Sequence, residues 1–335
     1  MEFRFFIGID VSKNELDFAV RRGREFLSHS EIANSPKSIR AFLGELSKIP
    51  GLEMENTLFC VEHTGIYNGH LLKCLQAKGA RVCLEPAVQI KQSLGRLRGK
   101  NDKVDAVRIS EYAYEKREKL KIWTPRREVV DRLAQLSTLR SRLITARKMV
   151  STPLGEAKSL CGKQVARELS KLSKNTLKGL DRDLEKVDTA IRSTIEQDAE
   201  LSRIFARATS VDGIGRVTAT QIIITTNEFK DIDDPKKYAC YAGVAPFTEE
   251  SGKVRGRPHV SHMANKQVKK LLHMSALVAI QHNEDLRAFY ERKVNGENKN
   301  KMSVINAVRN KLVARIFACV KQDRNYENKY QKTLV

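Results

Sequence analysis

Four carboxylates in the first third of the chain stand where a fold could gather them. Asp10 closes the apolar run Phe3–Val11, Glu62 closes Thr57–Glu62, and Asp102 and Asp105 are three apart within Asn101–Ala113. An acid at the end of a buried strand is held at a sheet rim, and acids three apart on a helix share a face. Carboxylates brought together repel one another and are stabilised by cations, and such hard oxygen ligands suit Mg²⁺. Two such ions about 3.5–4 Å apart can activate a nucleophile and stabilise the leaving oxygen of a phosphodiester. The neighbourhood is basic, with Lys91, Arg96, Arg98, Lys100, Lys103 and Arg108, which suits a polyanionic substrate. Spacing alone also fits Asp10 as a turn residue and Asp102 and Asp105 as helix-surface acids.

A second set lies near the other end. Ser251–Asn283 contains no Asp or Glu, but it holds Lys253, Arg255, Arg257, Lys266, Lys269, Lys270 and four histidines. Such a run suggests phosphate contact, although a solvated basic face has the same composition. A serine hydroxyl is a poor nucleophile at neutral pH without a base or a metal, and Ser251 has no acid nearby on its C-terminal side. Between two helical stretches, Val211-Asp212-Gly213-Ile214-Gly215 is similar to a helix-hairpin-helix turn, whose amides at Gly213 and Gly215 would face a phosphate. A tight interhelical turn has the same signature.

The elements that position these residues read as three regions. Residues 1–125 alternate strands and helices, which indicates an α/β layer fold. Leu16–Val20 and Glu25–Ser30 pair through Arg21-Arg22-Gly23-Arg24 as a hairpin; Ser35-Pro36 opens a helix; Arg81–Leu84 is a strand; Val88–Leu120 is mostly helical. Residues 126–200 read as two long helices: Leu177, Leu180, Leu184, Val187 and Ile191 follow heptad spacing, and Val129, Leu133, Leu136, Leu143 and Val150 form a looser stripe. Thr152-Pro153-Leu154-Gly155 is expected to interrupt the pair. The pairing fits either a dimer-forming coiled coil or a hairpin within one chain. Residues 201–335 read as mainly helical, with Lys266–Ile280 presenting Val268, Leu271, Leu272, Ser275 and Ala279 on one face.

Composition bounds the function. The 335 residues carry 61 Lys+Arg against 40 Asp+Glu, a formal net charge of +21 that points to a polyanionic partner. No run approaches the ~18 apolar residues of a membrane span. Met1-Glu2-Phe3-Arg4 leads directly into a strand-like segment without a signal-peptide layout, so a cytoplasmic location is expected. Cys60, Cys74, Cys83, Cys161, Cys240 and Cys319 form no C-x-x-C pair, which argues against a zinc site or a disulfide scaffold.

Three blocks carry a family resemblance: Phe6-Ile7-Gly8-Ile9-Asp10-Val11-Ser12-Lys13, Glu62-His63-Thr64-Gly65-Ile66-Tyr67 and Lys100-Asn101-Asp102-Lys103-Val104-Asp105-Ala106. Together they resemble the DEDD transposases of insertion sequences, the IS110 family, whose relatives include Piv-type DNA invertases. Further on, Ser210–Gly215, Tyr241–Pro246 and Ser251–Gly256 are similar to the family's S-x-P-G-I-G, A-G-L-x-P and S-G-x-x-x-G blocks. The resemblance implies a RuvC-like, RNase H-type domain at the front, in which Asp10, Glu62, Asp102 and Asp105 bind Mg²⁺. It implies that Ser251 attacks DNA and holds a covalent phosphoserine link. It further implies a structured guide RNA, donor and target DNA as substrates, and homodimers paired into tetramers through the helical middle region. The acids of one subunit would then meet the serine of another.

Two alternatives to a transposase stay open at this level. One is a Piv-like site-specific invertase. The other is a RuvC-like structure-specific nuclease that uses water as nucleophile, with Ser251 only structural.

Overall fold

The computed structural model describes residues 3–93, 102–247, 250–251, 254–255, 259–260 and 264–327, and for residues 102, 158, 250, 251, 254, 255 and 259 the backbone alone. The chain divides into two compact units, Met1–Pro125 and Arg126–Val335.

The first unit is one mixed sheet with helices on both faces. Its strands are β1 (Phe5–Val11), β2 (Glu15–Arg22), β3 (Glu25–Ala33), β4 (Thr57–Glu62) and β5 (Arg81–Glu85), in spatial order β3-β2-β1-β4-β5. β1, β2 and β3 are antiparallel neighbours, whereas β4 and β5 run parallel to β1. This order, with β2 alone reversed, is the RNase H-like arrangement. Gly23, at φ +56°, lets the chain turn tightly between β2 and β3.

Side-chain alternation divides the sheet into two faces. One carries Phe5, Ile7, Ile9, Leu16, Phe18, Phe59 and Val61 and is covered by α1 (Pro36–Leu46) and α2 (Gly69–Ala77). Trp123 packs on this face, as core rather than as an exposed stacking ring. The other carries Phe6, Leu58, Cys60 and Cys83, covered by Ile90 of α3 (Ala87–Ser93) and by Ile109, Tyr112 and Ala113 of α4 (Asp102–Lys116).

The second unit begins with α5 (Glu128–Leu160) and α6 (Lys163–Glu196), which fold back on each other as a long hairpin. Two ion pairs fix the antiparallel register: Arg140–Asp188 and Arg147–Asp181, seven residues up one helix and seven down the other. The heptad residues of α6 lie along the covered side, with Val187 buried. The expected interruption at Thr152–Gly155 is absent, and α5 runs through Pro153 to Leu160. A proline inside a helix forfeits one hydrogen bond and costs ~3 kcal/mol, which continuous packing along two long helices outweighs. The reversal falls instead at Cys161-Gly162, where Gly162 takes φ +84°.

The hairpin root shares its core with the rest of this unit. Leu133 and Ile195 pack against Leu201 and Ile204 of α7 (Ala199–Thr209) and Ile223 and Ile224 of α8 (Arg216–Thr226). Then follow α9 (Pro235–Tyr241), the two-residue strands β6 (Pro246–Phe247), β7 (Glu250–Ser251), β8 (Val254–Arg255) and β9 (His259–Val260), and the helices α10 (Lys266–His282), α11 (Glu284–Glu291) and α12 (Lys301–Lys321). The apolar side of α10 and the stripe Val308, Leu312, Val313 and Ile316 of α12 close the main core. Of the six cysteines, Cys161 and Cys240 are exposed and the other four are buried; all are free thiols.

Candidate active site and nucleic-acid interface

The acid-bearing strand ends are aligned by register. β1 and β4 are parallel with Ile9 opposite Val61, so the next step along both strands sets Asp10 beside Glu62. Asp10 shares its face with Phe6, and Glu62 shares its face with Leu58 and Cys60, so both carboxylates belong to the face that α4 covers. α4 lies against β1 at Gly8, where a Cβ would stand 2.1 Å from Ser110 N and 2.3 Å from Ala106 O. The Phe6 ring meets Tyr114 edge-on with centroids 5.3 Å apart. Moving up β1 therefore moves back along α4, and the first turn of α4, with Asp102 and Asp105, comes beside the strand end that carries Asp10.

The loops that follow these acids are tied together. Asn34 Nδ2 donates to Ser12 O at 2.9 Å and to Tyr67 O at 3.1 Å, and Asn68, buried, donates to Glu62 O at 3.0 Å. Asp10 Oδ1 accepts from Val11 N at 2.9 Å, and Asp105 pairs with Arg108 at 2.9 Å. His63 and Tyr67 are exposed beside this rim, and Lys91 is exposed on α3. The donor set of Asp10, Glu62 and Asp105 is all hard carboxylate oxygen, which suits Mg²⁺. Among the described residues no three His, Cys, Asp or Glu side chains converge closely enough to hold a metal ion, and the side chain of Asp102 lies outside that set.

Two acids on the same face escaped the sequence reading. Glu85 ends β5 in register with Glu62, is buried, and accepts from Tyr112 Oη at 3.3 Å. Burial raises its carboxyl, and burial, then the charge of Glu85, lifts the Cys83 thiol to about 12. Asp17, opposite Asp10 on β2, is buried and bonded to His29 Nε2 at 2.7 Å. Glu85 carries the signal that picked out Asp10 and Glu62, an apolar run ending at an acid.

In the second unit, Ser251 sits on β7 opposite Val254 of β8, and Glu250 opposite Arg255. Lys253 and Arg257, like Arg96, Arg98 and Lys100 of the first unit, lie outside the described residues, and Arg255 is described by its backbone alone. Both ends of the serine-bearing segment are fastened. Asn265 N donates to Tyr241 O at 2.9 Å and Asn265 Nδ2 to Tyr241 Oη at 2.8 Å, while Asn306 Nδ2 donates to Val244 O at 2.8 Å. Lys266 and Lys270 are exposed on α10, and Lys269 is half-buried.

In the turn between α7 and α8 the two glycines stand in different surroundings. Gly213, at φ +85°, packs against α10: a Cβ there would stand 2.4 Å from Ser275 O, so this glycine serves close helix packing. Gly215 is open around its Cα and caps α8 with no side-chain bond, leaving the first amides of α8 for another acceptor. Asp212 ties the turn down by accepting from Asn283 Nδ2 at 2.6 Å.

Two family descriptions match this chain: "Transposase" of the DEDD IS110 type over residues 7–155, which spans the acid-bearing sheet and α4, and "Transposase IS116/IS110/IS902 family" over residues 206–291, which spans the Gly213 turn, Ser251 and α10. The chain belongs to the IS110 family of transposases. Members of this family cleave and rejoin DNA, and the two matched segments are those that carry the acids and the serine. The pilin gene-inverting protein of Moraxella bovis is 22% identical over 334 residues, covering 97% of this chain and 98% of the relative. The insertion element IS110 43.6 kDa protein of Streptomyces coelicolor is 25% identical over 140 residues, 42% of this chain and 34% of the relative. Among solved structures, Thermus thermophilus RuvC with a Holliday junction substrate is similar at 17% identity, covering 36% of this chain and 99% of that one, with a TM-score of 0.29. No described helix is long and apolar enough to cross a membrane.

Proposed function

We propose that this IS110-family enzyme exchanges DNA strands through Ser251, with Asp10, Glu62, Asp102 and Asp105 holding Mg²⁺. The register that sets Asp10 beside Glu62 on the face where α4 begins carries this reading. Bound Mg²⁺ supplies charge that favours an ionised hydroxyl and neutralises phosphate oxygens.

The chain's own residues do the rest. Ser251 Oγ bonds to the scissile phosphorus as the bridging oxygen leaves, and the serine's proton ends on that departing DNA hydroxyl. A second DNA hydroxyl reverses the step, so the phosphodiester is rebuilt without an external energy source. Lys253, Arg255 and Arg257 would supply positive charge to offset that growing on the phosphoryl oxygens. Lys91, Arg96, Arg98, Lys100, Lys266, Lys269 and Lys270, with the amides following Gly215, hold nucleic-acid phosphates, whereas the amide after Gly213 is taken by Val211 O.

The finer reading adds a structured guide RNA that selects donor and target DNA, and homodimers that pair into tetramers. The outer half of the α5–α6 hairpin leaves Met149, Leu160 and Leu172 at least 74% exposed, which supports subunit contact there. In this assembly the acids and Ser251 meet on DNA, whether from one copy or two.

A suicide DNA substrate tests the reading. Wild type should accumulate a covalent protein–DNA adduct that Ser251→Ala abolishes and EDTA suppresses. Nicking without an adduct, unaffected by Ser251→Ala, would instead mark hydrolysis by water. A second reading, a site-specific invertase, is favoured by the end-to-end match with the pilin gene-inverting proteins. An invertible segment rather than element ends beside the gene would select it.

A further inference from the structure

A guanidinium is buried in the helical unit with no carboxylate beside it among the described residues. Arg309 on α12 is only 6% exposed. Among the described residues its Nε has no hydrogen-bond partner, one Nη donates to His273 Nδ1 on α10, and the other reaches Asn306 Oδ1 only at 3.5 Å. Three less buried arginines of this unit each meet a carboxylate: Arg127 meets Asp198 and Glu228, Arg140 meets Asp188, and Arg315 meets Asp285. An ionised group buried without a counter-charge loses its hydration with nothing to offset the loss.

The surrounding helices supply no acid. Neither α10 nor α12 contains Asp or Glu, although together they carry Lys266, Lys269, Lys270, Lys301, Lys311 and Lys321 besides two arginines. His273 cannot act as the counter-charge. Its Nδ1 accepts from Arg309, so Nε2 carries the hydrogen and the ring is neutral. Burial and then the neighbouring Arg309 hold its pKa down. The pair therefore offers a full positive charge and a buried N–H donor, Arg309 Nε, with no acceptor among the described residues.

Its position matters. Asn306, one turn before Arg309 on the same helix, holds Val244 O, and Asn265 at the head of α10 holds Tyr241. The chain between Tyr241 and Asn265, which carries Ser251, thus leaves and re-enters the unit on the two helices that bear the pair. A planar guanidinium with parallel donors matches two phosphate oxygens, as a lysine ammonium does not.

We propose that Arg309, positioned by His273, grips a non-bridging oxygen pair of a DNA phosphate at the root of the Ser251 segment. This deepens the function proposed above and rests on it for the identity of the DNA, while the anion site stands on the buried, acid-free pair itself. Arg309 would then stabilise charge on the phosphoryl oxygens during strand transfer, and His273 would hold its fork in plane.

The test uses the full-length protein with ¹⁵N-labelled histidine, His273 being assigned through His273→Gln. Inorganic phosphate is titrated against chloride at constant ionic strength. A saturable shift of the His273 ring nitrogens is expected in wild type and equally in Ser251→Ala, and its loss is expected in Arg309→Met and Arg309→Lys. No response beyond that to chloride in wild type overturns the proposal. With the suicide substrate, Arg309→Lys, which keeps the charge and the bulk of the stem, should lower the rate of adduct formation about 100-fold while DNA affinity changes far less; an unchanged rate overturns it. A substrate duplex should suppress the phosphate response, and suppression by RNA alone would overturn the assignment to DNA. If instead the wild-type adduct is absent, or persists in Ser251→Ala, the Ser251 reading fails while the phosphate titration still decides the anion site.

Discussion

The two units follow opposite electrostatic rules. The Met1–Pro125 unit collects acids on one face of a sheet, where Asp10, Asp17, Glu62 and Glu85 lie on adjoining strands. The Arg126–Val335 unit removes acids from α10 and α12 altogether and buries Arg309 between them. Each arrangement is unfavourable alone, since like charges repel and buried charges lose hydration. On the proposed function each would be relieved by the ligand the other cannot take: cations on the acid face, phosphates on the basic helices. An enzyme that must hold metal and polyanion together gains by keeping the two demands on separate scaffolds.

The largest expected effect breaks the acid side. Asp10→Asn keeps the shape of the side chain and removes its charge. Strand exchange should fall at least about 10³-fold, roughly 4 kcal/mol in barrier, with folding and nucleic-acid affinity unchanged. An assay of recombination product beside a binding measurement checks this, and full activity would remove Asp10 from the site.

The next effect compares how the units seat their helices. In each, a glycine lets a helix touch backbone: Gly8 under α4 and Gly213 under α10. Gly8→Ala must push Ser110 N away from 2.1 Å and should destabilise its unit by about 3 kcal/mol, displacing the first turn of α4 from Asp10. Gly213→Ala adds the strain of φ +85° to a similar clash, and urea denaturation should register a loss at least as large.

Arg127→Met sharpens the comparison at the root of the second unit, where carboxylates are present and paired. Arg127 donates to Asp198 at 2.8 Å and to Glu228, whose side chain is fully buried. Burial raises the Glu228 carboxyl, but the bonds from Arg127 and Lys230 outweigh it and hold the pKa below the usual value. A depressed carboxyl contributes stability above its unfolded pKa and loses it as pH falls through the folded one. Wild type should therefore lose stability on acidification below about pH 4.5. Arg127→Met should cost about 2 kcal/mol at pH 7, moderated because Lys230 remains, and should flatten that acid dependence. Denaturant midpoints across pH measure both.

Much of this was legible in residues that obey one rule at a time. Asp10 and Glu62 announce themselves because an apolar strand ends at each, and the hairpin around Gly23 because the turn needs its φ. Glu85 was missed because the run Arg81–Leu84 was closed one residue early. Pro153 misled because its local penalty is outweighed by packing along a partner helix that local reading does not weigh. Gly213 was ambiguous because a turn glycine can serve a ligand or a neighbouring helix, and only the position of Ser275 decides. Arg309 was overlooked although it interrupts an apolar stripe, between Ile305 and Val313 on α12, where a charge has no solvent to face.

The smallest effect probes the basic helices one charge at a time. Each Lys that neutralises a DNA phosphate releases a counterion, so log K falls with log salt by about 0.9 per contact. Lys270 is exposed on the acid-free α10 and has no carboxylate on its own helix to compensate it. Lys270→Gln should weaken binding modestly at low salt, about equally for any sequence, and reduce the salt slope by about one unit. A Glu115→Gln change on α4 removes a charge of the other sign from the other unit and should leave the slope as it is. If instead both changes move the slope alike, the polyanion feels only net charge and the division of labour between the units is lost. If neither does, α10 does not face phosphate, and contact with the nucleic-acid backbone must be sought elsewhere among the cations of the chain.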